Sequence, residues 1–408
     1  MKSIKKHAFD RRDFIKLGAA GATLTMMPGI LKASTPPVIK IGVLQPVTGA
    51  LAMDGEFGRL GAELAIQNIN ESGGIKALGG AKLEMVFADA RSSPEVAVQE
   101  VEKLHSQGVV AIVGGFASPI CLAASQAASR HNLPYIVDVG VADQIIERGL
   151  KNTFRFSPGF SRVTETAVNN LVTLNKEAGS PAKTIVLVHE DGLFGSGLAK
   201  LMANELPKHG FEILDSIAHP TPARDMSNVA LRIRSLRPDL IIPSSYYGET
   251  VLLMRTLQQQ RVKFKGVYSV LNGAASNMRF VKEFPEAAEN IMDCNHWDDP
   301  HKARAVALRK QVADLNKGWN YNIPLNYSCV LLLADAIERA ASIESDAVID
   351  ALSNSSFADH VMTYGPTKFE NGQNVGAAPV VTQVQGGDIK VVMPEEFANA
   401  KAVFPVVS

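Results

Sequence analysis

The stretch Val109-Val110-Ala111-Ile112-Val113-Gly114-Gly115-Phe116-Ala117-Ser118-Pro119 brings a hydroxyl and a helix start to the end of an apolar strand. A helix opening at Ser118 would present free N–H groups and a hydroxyl at the carboxyl end of a parallel strand, where open α/β sheets bind small anions. The chemistry such a turn can do is to hold a carboxylate or phosphate. Ser118 could equally serve as a plain helix cap, and the two roles are compatible.

Two further groupings carry reactive types. His189-Glu190-Asp191 follows a strand and could suggest acid–base work, but adjacent side chains on an extended chain diverge, so a surface or loop placement is expected. His296-Trp297-Asp298-Asp299 with His301 offers metal-ligand types without the helical two-histidine spacing of a metalloprotease. No Gly-x-Ser-x-Gly elbow, no Gly-x-Gly-x-x-Gly after the first strand and no Walker sequence occurs. Cys121, Cys294 and Cys329 are odd in number and match no metal spacing, so they are expected as buried small hydrophobes. Neither a catalytic residue, a metal nor a cofactor is expected.

A chain of 408 residues with 46% hydrophobic and 20% charged side chains suffices for two or three compact domains. The first 33 residues hold seven of the basic side chains (Lys2, Lys5, Lys6, Arg11, Arg12, Lys16, Lys32) against Asp10 and Asp13. Beyond them 34 basic and 39 acidic residues remain, a net of −5, which offers nothing to nucleic acid or a membrane surface. That basic start, a Gly/Ala-rich apolar run from Leu17 to Leu31 and a cleavage near Ala33 read as a targeting segment over 1–33. Arg11-Arg12-Asp13-Phe14-Ile15-Lys16 resembles the twin-arginine (Tat) export motif. The run is short and glycine-rich for a membrane anchor, and no Cys follows it for a lipid, so the expected destination is the periplasm without direct membrane insertion.

From Ile39 onward short apolar strands alternate with longer amphipathic helices. Strands are expected at Ile39–Leu44, Lys82–Ala88, Val109–Val113, Pro134–Asp138 and Thr153–Phe156, with helices between them at Gly55–Glu71, Pro94–Gln107 and Ser118–Arg130. The pattern restarts after Ser157-Pro158-Gly159, with strands Thr184–His189, Phe211–Ala218, Asp239–Pro243 and Gly266–Val270. Past Ile291 the chain reads as helical, and from His360 as a closing set of antiparallel strands. Regular βα alternation implies parallel, doubly wound sheets.

At this point the residues become recognisable. Ile39 to Leu44 followed by Pro46-Val47-Thr48-Gly49, Gly55, Gly61-Ala62, Asn70 with Gly73-Gly74-Ile75 and Asp89 resembles the opening of the type I periplasmic solute-binding proteins. The resemblance is to the leucine/isoleucine/valine-binding family of ABC importers, with its amide and urea relatives. The Gly114–Ser118 turn, Arg148-Gly149, Phe194-Gly195-Ser196-Gly197-Leu198, Tyr246-Tyr247 and Leu332-Leu333-Ala334-Asp335-Ala336 extend it over essentially the whole mature chain. It implies α/β architecture: two doubly wound parallel-sheet lobes joined by three hinge segments, closing on a solute for delivery to a membrane permease. It places crossings near Ser157, Asp293 and Thr363, hence lobe 1 at 36–157 plus 294–362 and lobe 2 at 158–293 plus 363–408.

The resemblance also implies ligand contacts. Ser118, with backbone N–H groups beside it at Ala117, stands where the family holds the solute carboxylate. Val139-Gly140-Val141 falls at the loop where amino-acid binders receive the α-ammonium, and the threonine used there is replaced by an apolar residue. Phe194 and Tyr246 stand at aromatic positions of the second lobe. Asn272 lies about where an acidic residue would face the ammonium. A buried ammonium without a carboxylate is costly, so an aromatic or apolar carboxylate, or an uncharged amide, is expected rather than a standard amino acid. Asp138, Asp54 or Glu249 could supply the missing charge. The expected protein is a monomeric solute receptor of an ABC importer. The alternatives are a periplasmic sensory ligand-binding protein and an exported α/β enzyme.

Overall fold

The computed structural model describes residues 38–406. The 1–33 targeting segment, with its twin-arginine motif and cleavage position, lies outside them. The described residues form a compact unit built on two seven-stranded sheets.

The first region alternates β1 (Val38–Gln45), α1 (Ala52–Glu71), β2 (Lys82–Asp89), α2 (Pro94–Ser106), β3 (Ile112–Gly114), α3 (Ser118–Ser129), β4 (Tyr135–Val137), the single turn α4 (Gln144–Glu147) and β5 (Thr153–Arg155). β1 carries apolar residues on both faces and is buried from Ile41 onward, as a parallel strand covered on both sides must be. Ser93 caps α2, its hydroxyl accepting the Val96 N–H at 3.2 Å, with Pro94 in the first turn.

The second region follows as α5 (Phe160–Glu177), β6 (Thr184–Glu190), α6 (Leu193–Glu205), β7 (Glu212–His219), α7 (Ser227–Leu236), β8 (Leu240–Ser244), α8 (Tyr247–Gln259) and β9 (Gly266–Val270). Short helices α9 (Met278–Glu283) and α10 (Pro285–Ala288) precede β10 (Met292–Asn295). The chain then returns with α11 (Ala303–Asp314), α12 (Asn322–Ala340) and α13 (Ser345–Ser353), and closes with β11 (Phe369–Glu370), β12 (Gln373–Asn374), β13 (Val380–Gln385) and β14 (Asp388–Met393).

Sheet one runs β11-β12-β5-β4-β3-β1-β2 and sheet two β14-β13-β10-β9-β8-β6-β7. The chain leaves sheet one after β5, returns to its lobe after β10, and crosses again between β12 and β13. The last crossing is therefore near Gly376, not Thr363. The closing strands are split: β12 pairs with β5 through Gln373 and Arg155, while β13 pairs antiparallel with β10. Local alternation of apolar residues fixes a strand but not the sheet that it joins. The Arg155 N–H to Gly372 carbonyl bond at 2.7 Å and the Asn374 amide to Phe156 carbonyl bond at 3.0 Å decide the matter. Strand β10 is a second difference: no strand was expected there, because its Met-Asp-Cys-Asn sequence carries no β-branched residue.

α12 is buried almost all round and packs along α1. The two backbones approach closely at Gly61, where an added Cβ would lie 2.3 Å from the Ile323 carbonyl oxygen. Gly61→Ala should therefore lose about 1–3 kcal/mol of stability, read as a lower urea midpoint with unchanged slope. An unshifted midpoint would mean that the helices can separate without loss.

Candidate functional site

β3 ends at Gly114, whose φ of +124° is reserved for glycine and whose added Cβ would sit 2.1 Å from the Leu44 carbonyl. The turn continues through Phe116 at φ +56°, left-handed in a bulky residue. Helix α3 then opens at Ser118 with no side-chain cap. The N–H groups of its first turn have no intrahelical acceptors. The Ser118 hydroxyl, 2% exposed, accepts the Ala142 N–H at 3.2 Å and keeps its own proton to donate.

Two loops of the first lobe hang from one carboxylate. Asp138 Oδ1 accepts the N–H of Phe116 at 2.9 Å and of Val139 at 2.7 Å, and its Oδ2 accepts Gln45 Nε2 at 2.8 Å. Burial raises the Asp138 carboxyl pKa, and these hydrogen bonds oppose the rise. The second lobe repeats the device with Asp293, which accepts the Asn272 N–H, the Ser276 hydroxyl and the Asn295 amide.

Between the lobes lies a cavity lined by Phe116, Ala117, Ser118, Val139, Val141, Phe194, Tyr246, Leu271, Gly273, Asn295, His296 and Tyr321. Its free space is about 20 Å³, little more than one water needs. The walls close by aromatic contact across the cleft: Phe116 lies 5.9 Å from Tyr246, and Phe194 lies 5.3 Å from it on the other side. Such tilted pairs at 4.5–7 Å add about 0.5–1.5 kcal/mol each.

Ala117, Ser118, Val139, Val141, Phe194 and Tyr246 are thus brought together, although they come from four loops of two lobes. Gly140 and Asn272 are not in the lining. Gly140 backs onto α3, where an added Cβ would meet Cys121 Sγ at 2.7 Å. Asn272 turns inward, its Oδ1 accepting the N–H groups of Ala274 and Ala275 and its amide donating to Thr250, so its neighbours Leu271 and Gly273 face the space instead. Sequence reasoning missed Leu271, Asn295, His296 and Tyr321 as lining residues. An aromatic run in the connection before α12, Trp319 to Tyr321, was the available signal for the last.

No acidic residue lines the cavity among those described. Asp138 is committed to the loops, Glu249 Oε1 accepts the Ala223 N–H at 3.1 Å, and Asp54 Oδ1 accepts the Asn322 amide at 3.2 Å. The other groupings are also dispersed. Asp298 is forked by Arg309 at 2.6 Å, while His296 turns to Tyr364. His189 and Glu190 are 8% exposed rather than on the surface, because Glu190 caps α6, accepting the N–H groups of Gly192 and Gly195 at 2.7 Å each. All three cysteines are buried and free.

A family model described as periplasmic binding protein matches residues 38–388. The chain belongs to the periplasmic binding protein family. A relative of this binding protein is the Leu/Ile/Val-binding protein homolog 7 of Brucella melitensis, 26% identical over 384 residues that cover 90% of this chain and 94% of the relative. Among solved structures, a leucine-binding protein of Thermotoga maritima superposes with a TM-score of 0.75 at 22% identity, covering 87% of this chain and 97% of that one. A solute-binding protein of an R. palustris ABC transporter, in complex with benzoate, gives 0.76 at 20% identity, covering 90% and 98%. A branched-chain amino acid binding protein of Streptococcus pneumoniae, in complex with isoleucine, gives 0.74 at 22%, covering 90% and 100%. These likenesses establish the two-lobed fold. Among the described residues of the binding protein no helix is long and apolar enough to cross a membrane.

Asp54 sits beside the cleft, and burial pushes its carboxyl up to about 7 from 3.8, with Glu249 adding to the rise and Asn320 and Asn322 opposing it. A carboxyl whose pKa is higher folded than unfolded binds more protons in the folded state, so stability falls as pH climbs between those two values. Asp293 has the same sign. Asp54→Asn should remove one share, losing about 1–3 kcal/mol less than the parent between about pH 4 and about pH 7. Parallel stability–pH curves from urea melts would show that Asp54 stays ionised throughout.

Proposed function

We propose that this binding protein is the periplasmic receptor of an ABC importer for an aromatic or apolar carboxylate, without catalysis of its own. The observation that carries the reading is the polarity of the cavity: a hydroxyl and an uncapped helix start at Ser118, aromatic and aliphatic walls, and no acidic lining residue among those described. Ser118 holds the carboxylate with its O–H and the N–H groups of the turn, a charge-assisted arrangement aided by the positive end of α3. Val139 and Val141 stand where an ammonium would need an acceptor side chain, and they offer only apolar contact. Phe194 and Tyr246 close over the solute as the lobes rotate about the crossing segments, and the closed form is what the permease receives.

With about 20 Å³ of free space between the walls, entry of a solute requires the Phe116–Tyr246 contact to part. Export to the periplasm follows from the family and from the twin-arginine-like start of the sequence.

Calorimetry with benzoate, phenylacetate, leucine and isoleucine tests the reading. The two amine-free acids are expected to bind and the amino acids to bind more weakly. Ser118→Ala should lower carboxylate affinity by about 10- to 100-fold, and Tyr246→Ala should also weaken it, both with a native melting profile. Leucine or isoleucine as the tightest of the four would overturn the assignment.

A further inference from the structure

His296 follows β10 at the second crossing, is fully buried and lines the cavity. Its Nδ1 lies 2.8 Å from the Tyr364 hydroxyl. Its Nε2 is hidden from solvent and has no hydrogen-bond partner among the described residues. The Tyr364 hydroxyl, also buried, has no second partner among them, so the phenol donates and Nδ1 accepts. Burial keeps the ring neutral, with its pKa down to about 3. The single ring proton then sits on Nε2.

The rest of the polar lining narrows what this N–H can meet. Asn295 spends its amide on the Asn272 carbonyl and Asp293, and its oxygen on the His296 N–H. Ser118 accepts from Ala142 and retains only its proton. Ser118 and His296 therefore both present donors, while the Tyr246 and Tyr321 hydroxyls of the lining can donate or accept.

We propose that His296 Nε2–H is a second recognition contact of the cavity, selecting among carboxylates held at Ser118 those that carry a further acceptor oxygen, the oxo-carboxylate class. The inference rests on the reading of Ser118 as the carboxylate grip. A buried N–H left unpaired is penalised, and a site built around such a donor discriminates against an analogue lacking the acceptor. Tyr364 acts as a positioning residue, fixing the tautomer through Nδ1.

Calorimetry with matched acids tests it: phenylacetate against phenylglyoxylate, and benzoate against para-acetylbenzoate, place the extra oxygen near to and far from the carboxylate. In one pair the oxo acid is expected to bind about tenfold tighter. That advantage should shrink to about twofold or less in His296→Phe and survive in part in His296→Gln, which keeps a side-chain N–H. If none of the four acids binds the parent, the Ser118 reading falls and this one with it. If the simple acids bind but the oxo acids gain nothing, or if the gain persists in His296→Phe, the role of His296 alone is overturned. Nitrogen NMR of the solute-free parent gives a readout independent of any variant's folding. The His296 ring should show the Nε2–H tautomer, with Tyr364→Phe shifting it towards a mixture, and an Nδ1–H ring in the parent would overturn the proposal.

Discussion

The cavity depends on a single shared acceptor. Asp138 Oδ1 receives the N–H groups of both Phe116 and Val139, so the two loops that form the first lobe's wall are fixed to the same atom. Gln45 Nε2 joins Asp138 to Asn326 on α12, each at 2.8 Å, which ties the loops to the helix that packs along α1. Burying a carboxylate this way is expensive, and the raised pKa of Asp138 records the cost. What these bonds secure is a fixed backbone for that wall. Asp293 plays the same part opposite, holding the loop from Asn272 to Ser276.

Held this way, the backbone tolerates conformations that it would otherwise relax. Phe116 and Leu271, one from each lobe, are both left-handed, at φ of +56° and +51°, and both face the cavity. Each costs on the order of 1–3 kcal/mol, sustained only where surrounding bonds over-determine the geometry. Phe116 supplies its ring to Tyr246 across the cleft in return. Leu271 is pinned by its N–H to the Cys294 carbonyl at 3.0 Å.

The alternation of apolar strands with amphipathic helices made both lobes legible, because in parallel sheets each element's burial is written in its own residues. Assigning the closing strands was not possible on that basis, since Gln373 and Val380 read alike locally and only their long-range partners, Arg155 and Asn295, separate them. The site divides along the same line. Ser118 was legible as a helix start at the end of an apolar strand, whereas Val141 was named only through the resemblance to the family. His296 was visible only as one member of a cluster resembling a metal site, and its actual direction is set by Tyr364, 68 residues further on. Asn272 was misread because a buried amide that satisfies its own loop looks, in sequence, like one that faces a ligand.

The cap on α6 makes the two walls of the cleft electrostatically unlike. Glu190 fills the N-terminus of α6 with a carboxylate of its own, whereas the start of α3 carries no side-chain cap and keeps its attraction for an anion. For the anionic solute proposed above, that asymmetry would favour approach to the first-lobe wall, with the second lobe contributing rings rather than charge. Under that proposal, binding would combine an electrostatic contact sensitive to salt with an apolar one largely indifferent to it.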